Sequence, residues 1–248
     1  MLAARTWDII HRWVGWRLGC PLDAIGADGI LTQAHSGAFA DYHGVYVWLM
    51  GQAAIISAPA DLTDAVARLV VGQPLATLVD PAFWRAALGE RVERIVGPSY
   101  QGFVDAITYR PGPTRGARRL LAGDLPALSR FISACPPDDW RDSAISPDHQ
   151  PIVALMRDGA IIALASAPAD GPADIGMRSV GVVTLPTWRG QGAGRAVVGA
   201  LTWYWLMNWL EPDSTLHYQT LRANGASVAI AQALGYVDVA TALAVRLC

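Results

Sequence analysis

The sequence predicts an α/β protein with a mixed sheet, built as an amino-terminal α/β domain over residues 1–112 and a second domain over 117–248. Three observations predict it. Short β-branched runs bounded by Gly, Pro, Asn and Asp alternate with longer apolar stretches of helical period. A tight Asp158-Gly159 pair between two apolar runs demands an antiparallel hairpin. A strand-like run, Val180 to Leu185, enters a helical run through a loop carrying Gly190, Gly192 and Gly194.

In the amino-terminal part, Trp7 to Leu18 reads as a helix, and Val45 to Met50 and Ala53 to Ser57 read as paired strands about Gly51-Gln52. Asp61 to Val70 reads as a capped helix and Pro81 to Leu88 as another, with proline in its first turn. Val92 to Val96 reads as a strand that stops at Gly97-Pro98. The boundary falls in Tyr109-Arg-Pro-Gly-Pro-Thr-Arg-Gly116, where two prolines and two glycines break both periodicities.

Beyond it, Arg119 to Ala122 reads as a strand, and Asp124 to Ala134 as a helix capped by Asp124 with Pro126 in its first turn. Pro136-Pro137 and Pro147 mark a loop. The hairpin strands are Ile152 to Arg157 and Ala160 to Ser166. After the Val180 to Leu185 strand, a helix runs from Arg195 to Trp209. Thr215 to Leu221 reads as a strand, and the helix after Asn224 ends at Gly235, a C-terminal glycine. Thr241 to Arg246 is the last strand.

The stretch Thr184-Leu-Pro-Thr-Trp-Arg-Gly-Gln-Gly-Ala-Gly-Arg195 carries the chemistry. Glycines without Cβ atoms let several N–H groups converge on one anion, and the helix N-terminus adds partial positive charge, so a pyrophosphate fits. A tight strand-to-helix turn with no ligand is the plainer alternative. The dinucleotide fingerprint G-x-G-x-x-G fits neither register, because Arg195 and Val197 occupy the third glycine position. The phosphate-loop NTPase pattern needs a lysine and the chain has none, which also removes lysine Schiff-base chemistry.

Taken with Leu221-Arg-Ala-Asn-Gly-Ala-Ser-Val-Ala-Ile-Ala-Gln-Ala-Leu-Gly-Tyr236, the Arg-x-x-Gly-x-Gly loop at 189–194 resembles the GNAT superfamily of acyl-CoA-dependent N-acetyltransferases. The resemblance covers roughly 117 to 248. It implies a mixed, mostly antiparallel twisted sheet flanked by helices. It also implies acetyl-CoA or another acyl-CoA as co-substrate, with no metal. The coenzyme A pyrophosphate would lie on the amides of Arg189, Gly190, Gln191, Gly192, Ala193 and Gly194, and the pantetheine arm against Asn224. Val182, Val183 and Thr184 would line the thioester, with Val182 or Val183 offering an N–H to the developing oxyanion. The family's tyrosine, seven residues after that asparagine, is Ala231 here, so the usual acid is missing. The first half resembles the amino-terminal half of two-part GNAT proteins, in the manner of a degenerate copy. It holds no second such loop, which implies one cofactor site per chain.

Such a transfer needs a neutral amine and hence a base or ordered waters. His217 and Tyr218 alternate across one strand, so at most one of them faces an acceptor. His217 is a candidate for catalysis or substrate binding, or else a satisfied core histidine. Asp174 is a base candidate, or else a solvated loop aspartate. Ser227 shares a helix face with Asn224 and is a candidate donor to the thioester or departing thiolate. Trp203, Trp205 and Trp209 suggest core or interface packing more than an aromatic cage, and Trp188 a shelf against cofactor or sheet. His11, His35, His43 and His149 lack partners at ligand spacing, so no metal site is expected.

The formal net charge of −2 argues against nucleic acid and a polybasic membrane patch. Charged residues make up 16%, below the usual ~25%, which implies a large core or a covered apolar surface and leaves a homodimer open. Cys20, Cys135 and Cys248 are odd in number and widely spaced, as reduced thiols are. The start turns polar too early for a secretory signal, and the apolar run at 196–207 is too short to span a bilayer. A cytoplasmic location is the default expectation. The activity expected is acetyl transfer to a primary amine of a small molecule or peptide by direct attack. The alternatives are a longer acyl donor on a peptide or natural-product acceptor, and a non-catalytic acyl-CoA-binding regulator.

Overall fold

The computed structural model describes residues 1–25, 28–207 and 214–248. Helix α1 (Ala4–Leu18) is followed by β1 (Gly29–Ala34), β2 (Gly44–Met50), β3 (Ala53–Ala58), α2 (Thr63–Val70), α3 (Pro81–Leu88) and β4 (Val92–Val104). Then come β5 (Arg118–Arg119), α4 (Leu125–Ala134), α5 (Pro137–Asp142), β6 (Ile152–Arg157), β7 (Ala160–Ser166), β8 (Met177–Ser179) and β9 (Gly181–Thr184). The last elements are α6 (Ala193–Met207), β10 (Thr215–Leu221), α7 (Gly225–Ala233) and β11 (Val237–Leu247). Among the described residues the strands form a mixed seven-stranded sheet, in the order β1-β3-β2-β11-β4-β10-β8, and a four-stranded sheet, β5-β6-β7-β9.

The chain forms two compact units that are interleaved in sequence. The first comprises 1–3, 103–218 and 229–237; the second comprises 4–102, 219–228 and 238–248.

In the second unit, β2 and β3 form the expected hairpin, with Gly51 at φ 59, and β3 pairs β1 in parallel from Gly29↔Ala53 to Ala34↔Ala58. The Gly29–Ala34 strand escaped the sequence reading because its residues are mostly half-buried and show no alternation. Val45, Val47, Ile56, Trp84, Leu243 and Val245 make the core of this unit. Trp84, with no exposed surface, donates its indole N–H to Leu78 O at 2.8 Å. Asp80 caps α3 by accepting from the Ala82 N–H at 2.8 Å. Asp61 does not cap α2, which begins at Thr63 after Leu62 with no side-chain cap. Strand β4 does not stop at Gly97-Pro98: Gly97 adopts φ +125 and the strand continues to Val104. A bend absorbed by a glycine lets a strand pass a proline that sequence rules treat as a stop.

The first unit contains the hairpin of β6 and β7, turned through Asp158 (φ 48) and Gly159 (φ 76), both left-handed as a two-residue turn requires. Phe131, Leu128, Ile152, Leu164 and Val183 pack between α4 and this sheet. Of the expected strand from Arg119 to Ala122 only Arg119 lies in a strand, β5, together with Arg118, since Ala122–Asp124 turns into a 3₁₀ helix. Asp124 does not cap α4 with its side chain. Its carboxylate takes both guanidinium nitrogens of Arg118, at 2.7 and 2.9 Å, and the Leu121 N–H at 2.9 Å. Those bonds, the Arg118 pair above all, hold its pKa down to about 2. The expected loop after Pro136 contains α5, a helix opened by its own proline.

Candidate functional site

The site begins with a strand that changes partners. Residues Met177 to Ser179 of β8 pair in parallel with Thr215 to His217 of β10, and Val180 donates its N–H to His217 O at 2.8 Å. Immediately afterwards Gly181 to Thr184 pair with β7 instead, so β9 is the edge of the four-stranded sheet among the described residues. The strand is therefore longer than the expected Val180 to Leu185 and is split at Val180. Leu185 donates to Ile162 O at 3.0 Å, on the β7 side. Alternation between these two anchors turns the N–H groups of Val182 and Thr184 away from β7, along the unpaired edge, and that of Val183 towards β7.

The edge runs directly into the glycine loop. A 3₁₀ turn, Pro186–Trp188, leads into Arg189, and Gly190 (φ 73) and Gly192 (φ 80) take left-handed conformations that L side chains rarely adopt. Ala196 donates to Gly192 O at 3.1 Å, so the N–H groups just before it have no acceptor in the preceding turn of α6. Gly194 has ordinary backbone geometry and is small for another reason. A Cβ there would lie 3.0 Å from Ile230 Cδ1 on α7 and 3.3 Å from Thr184 Oγ1. Strand edge, loop amides and helix dipole thus converge on one place.

Arg115 is a loop residue that the sequence reading missed. Its guanidinium donates to Gln191 O at 2.6 Å and would sit 3.2 Å from a Cβ on Gly192. The signal was present, an arginine inside a Gly/Pro-rich turn, but only the three-dimensional path lays that turn on the loop. The Tyr109–Gly116 stretch, expected as a boundary, is bound to α6 and its neighbours. Tyr109 donates its hydroxyl to Gly199 O at 2.7 Å, and Arg110 its N–H to Leu234 O at 3.0 Å. Gly112 lies against the Arg195 guanidinium, where a Cβ would be 3.2 Å from Nε. Arg189 is paired with Asp139 on α5 and also donates to Thr184 O at 3.3 Å, so its charge is partly neutralised.

Other candidates lie in less direct positions. His217 has no exposed surface; its Nδ1 lies 3.4 Å from Ser179 Oγ and 4.0 Å from Asp170 Oδ2, and its ring stacks on Phe103 at 4.8 Å. It is buried where β8 and β10 separate. Asp174 is exposed in the 3₁₀ turn Ala173–Ile175 ahead of β8. In the second unit, Asn224 accepts the Ser227 N–H at 3.2 Å through Oδ1, the bond that caps α7. Ala231 lies on the same helix, in the first unit, with no exposed surface. Trp205 is buried under the Arg178 guanidinium, 3.7 Å from its ring centre, whereas Trp203 is 56% exposed and is not core. Trp209 lies outside the described residues. Cys20 and Cys135 are buried, and burial raises both thiols, which disfavours a nucleophilic thiolate. Among the described residues no cluster of three or more His, Cys, Asp or Glu side chains could hold a metal ion, and no helix is long and apolar enough to cross a membrane.

No protein-family model and no curated protein matches the chain. Solved structures do. An acetyltransferase from the GNAT family of Colwellia psychrerythraea is 14% identical, with a TM-score of 0.48, over 66% of this chain and 61% of its own. A GCN5-related N-acetyltransferase from Kribbella flavida is 22% identical, with a TM-score of 0.43, over 64% of this chain and 62% of its own. AAC(6')-Iy, solved with the bisubstrate analogue CoA-S-monomethyl-acetylneamine, is 21% identical, with a TM-score of 0.35, over 50% of this chain and 90% of its own. The chain is similar to GNAT-family acetyltransferases. It spans less than two thirds of the length of the first two.

Proposed function

We propose that this protein is an acyl-CoA-dependent N-acyltransferase of the GNAT type, moving an acetyl group from acetyl-CoA to a primary amine of a small molecule or peptide. The observation that carries the reading is the continuity of the β9 edge with the glycine loop. The amides of Val182 and Thr184, on an edge that is unpaired among the described residues, lead straight into loop N–H groups at a helix N-terminus, with Arg115 laid on the loop. Such a row can hold a pyrophosphate at one end and a thioester carbonyl at the other.

In this reading the loop amides of 189–194 and the Arg115 guanidinium hold the pyrophosphate. Val182, whose N–H faces the open edge, stabilises the oxyanion, and Val183, whose N–H is turned to β7, supplies packing. One oxyanion donor is worth roughly 3 kcal/mol where it has been removed in other enzymes. The neutral amine attacks the thioester carbonyl, its carbon–nitrogen bond forms, and the tetrahedral intermediate collapses by breaking the carbon–sulfur bond. The nitrogen loses a proton and the thiolate gains one. Ser227 is the proposed donor to the thiolate. Asp174, exposed near the start of β8, is the proposed entry point for the amine proton. His217, buried among Asp170, Ser179 and Phe103, is assigned to positioning the strands where they separate.

Ala231 favours one variant of this reading, a donor with a longer acyl chain, because no hydroxyl stands at the position that resembles the family's acid. Thiol release measured with a panel of acyl-CoA donors and amines tests all three possibilities. Turnover with acetyl-CoA supports the main reading, and preference for longer donors the variant. Tight coenzyme A binding without turnover supports a non-catalytic sensor, and absence of both binding and turnover ends the proposal.

A further inference from the structure

A pocket of about 400 Å³ opens on the first unit, between α6 and the Tyr109–Ala117 segment, away from the glycine loop's own residues. Its walls are aromatic and apolar: Tyr109, Pro111, Trp203 and Tyr204, with Thr114 and Arg119 at its polar side. Two features separate it from an ordinary surface hollow. Trp203 is 56% exposed, a large aromatic face left open at the pocket among the described residues. Arg119 lies over the Tyr204 ring, 5.9 Å from its centre, and among the described residues no carboxylate pairs with it.

The charge balance at the pocket sets the class of ligand. Arg118, also in the lining, is neutralised by both oxygens of Asp124. Of the two arginines in the lining, that leaves Arg119 without a carboxylate partner among the described residues, beside several ring faces. A phosphate dianion would call for a second cation; a monoanion needs one. The volume lies at the low end of the range for small-molecule sites, roughly 300–1,000 Å³, which suits two fused rings better than a nucleotide or peptide. Aromatic walls stack on planar ligands, and a guanidinium binds a carboxylate through two parallel N–H bonds.

We propose that this pocket binds a planar aromatic monocarboxylate, a ligand separate from the acyl donor and the amine acceptor. Its position gives binding there a route to the glycine loop. Thr114, in the pocket lining, is followed directly by Arg115, whose guanidinium holds Gln191 O. A ligand that orders this segment changes the freedom of Arg115 and therefore the affinity of the loop for phosphate, and the coupling is reciprocal.

The test uses 2-naphthoate as probe and calorimetric titration of the full chain. Wild type is expected to bind it, with neutral 2-naphthylmethanol at least roughly tenfold weaker, the usual worth of a charge-assisted pair. Arg119→Gln is expected to weaken 2-naphthoate roughly tenfold without changing the affinity for the neutral analogue. Trp203→Ala is expected to weaken both probes, and Trp203→Phe to restore much of that loss. Arg119 and Trp203 are exposed, so circular dichroism should show all three variants folded. Saturating coenzyme A is expected to shift the 2-naphthoate affinity without abolishing it. Absence of binding at about 1 mM probe, equal binding of the acid and neutral probes, unchanged affinity in Arg119→Gln, or full competition by coenzyme A would each overturn the proposal. Competition would make the pocket part of the acyl donor's own site.

Discussion

Replacing Gly192 with valine places two separate strains on the glycine loop. The first is conformational: at φ +80 a residue with a Cβ is disfavoured by about 1–2 kcal/mol, and a β-branched side chain by more. The second is steric, since the new Cβ would sit 3.2 Å from Cζ and Nη2 of Arg115. Arg115 must then give way, and with it the bond to Gln191 O. If the loop answers by turning one N–H off the bound phosphate, a hydrogen bond to a charged group worth about 1.5–3 kcal/mol is lost, a factor of roughly 10–150 in affinity. Two or more turned amides would abolish measurable binding. Its neighbours separate the causes. Gly190→Ala carries strain at φ +73 but meets no heavy atom within 4 Å, so its loss of affinity should be smaller. Gly194→Val has no φ penalty but drives its side chain into Ile230 and Thr184, so it should match Gly192→Val through packing alone. Gln191→Ala keeps every loop amide and should be mild. Calorimetric titration with coenzyme A, alongside circular dichroism, reads all four. Folded Gly192→Val and Gly194→Val proteins that bind coenzyme A like wild type would refute the amide-clamp reasoning.

Ala231 has no exposed surface, so Ala231→Tyr should overpack α7 and lower stability by about 1–3 kcal/mol, seen as a drop in melting temperature. An unchanged melting temperature would show room at this position for the longer side chain. Asn224→Ala removes the cap on the Ser227 N–H and should cost about 0.5–2 kcal/mol, whereas Asn224→Asp should keep it; equal loss in both variants, by thermal melting, would deny the capping role. Burial pushes the pKa of His35 below its usual 6.5, with both ring nitrogens engaged, by Ser57 Oγ at 2.6 Å and Gly44 O at 2.7 Å. The folded state therefore binds this proton less readily than the unfolded chain. Stability is full above 6.5 and falls as pH drops below it, until the lowered folded pKa is reached. Melting from neutral to mildly acidic pH should show this decline, and His35→Gln should flatten it; an identical slope in the variant would assign the decline to other groups. Because Arg-x-x-Gly-x-Gly occurs once, titration should give one coenzyme A per chain, and two equivalent sites would contradict that.

Local chemistry alone determined a good part of this protein. The Asp158-Gly159 hairpin and α3 behind Asp80-Pro81 follow from backbone preferences that hold over a few residues, as does the left-handed geometry at Gly190 and Gly192. Tertiary structure decided whatever depends on a distant partner. Nothing local in Met177 to Thr184 tells that its first three residues join β10 and its last four join β7. That change of partner is what leaves the Val182 amide on an edge without a partner strand among the described residues. Strand β4 passes through Gly97-Pro98 as an inner strand between β11 and β10, with Gly97 at φ +125, and Asp124 gives up its cap because Arg118 offers a stronger partner. Arg115 reaches the glycine loop because the Tyr109–Gly116 segment is tied to Gly199 O of α6 by the Tyr109 hydroxyl and to Leu234 O, just after α7, by the Arg110 amide. Turn and helix signals reside in a residue's own torsions and near neighbours, while strand pairing and side-chain partners are settled between residues far apart in the chain.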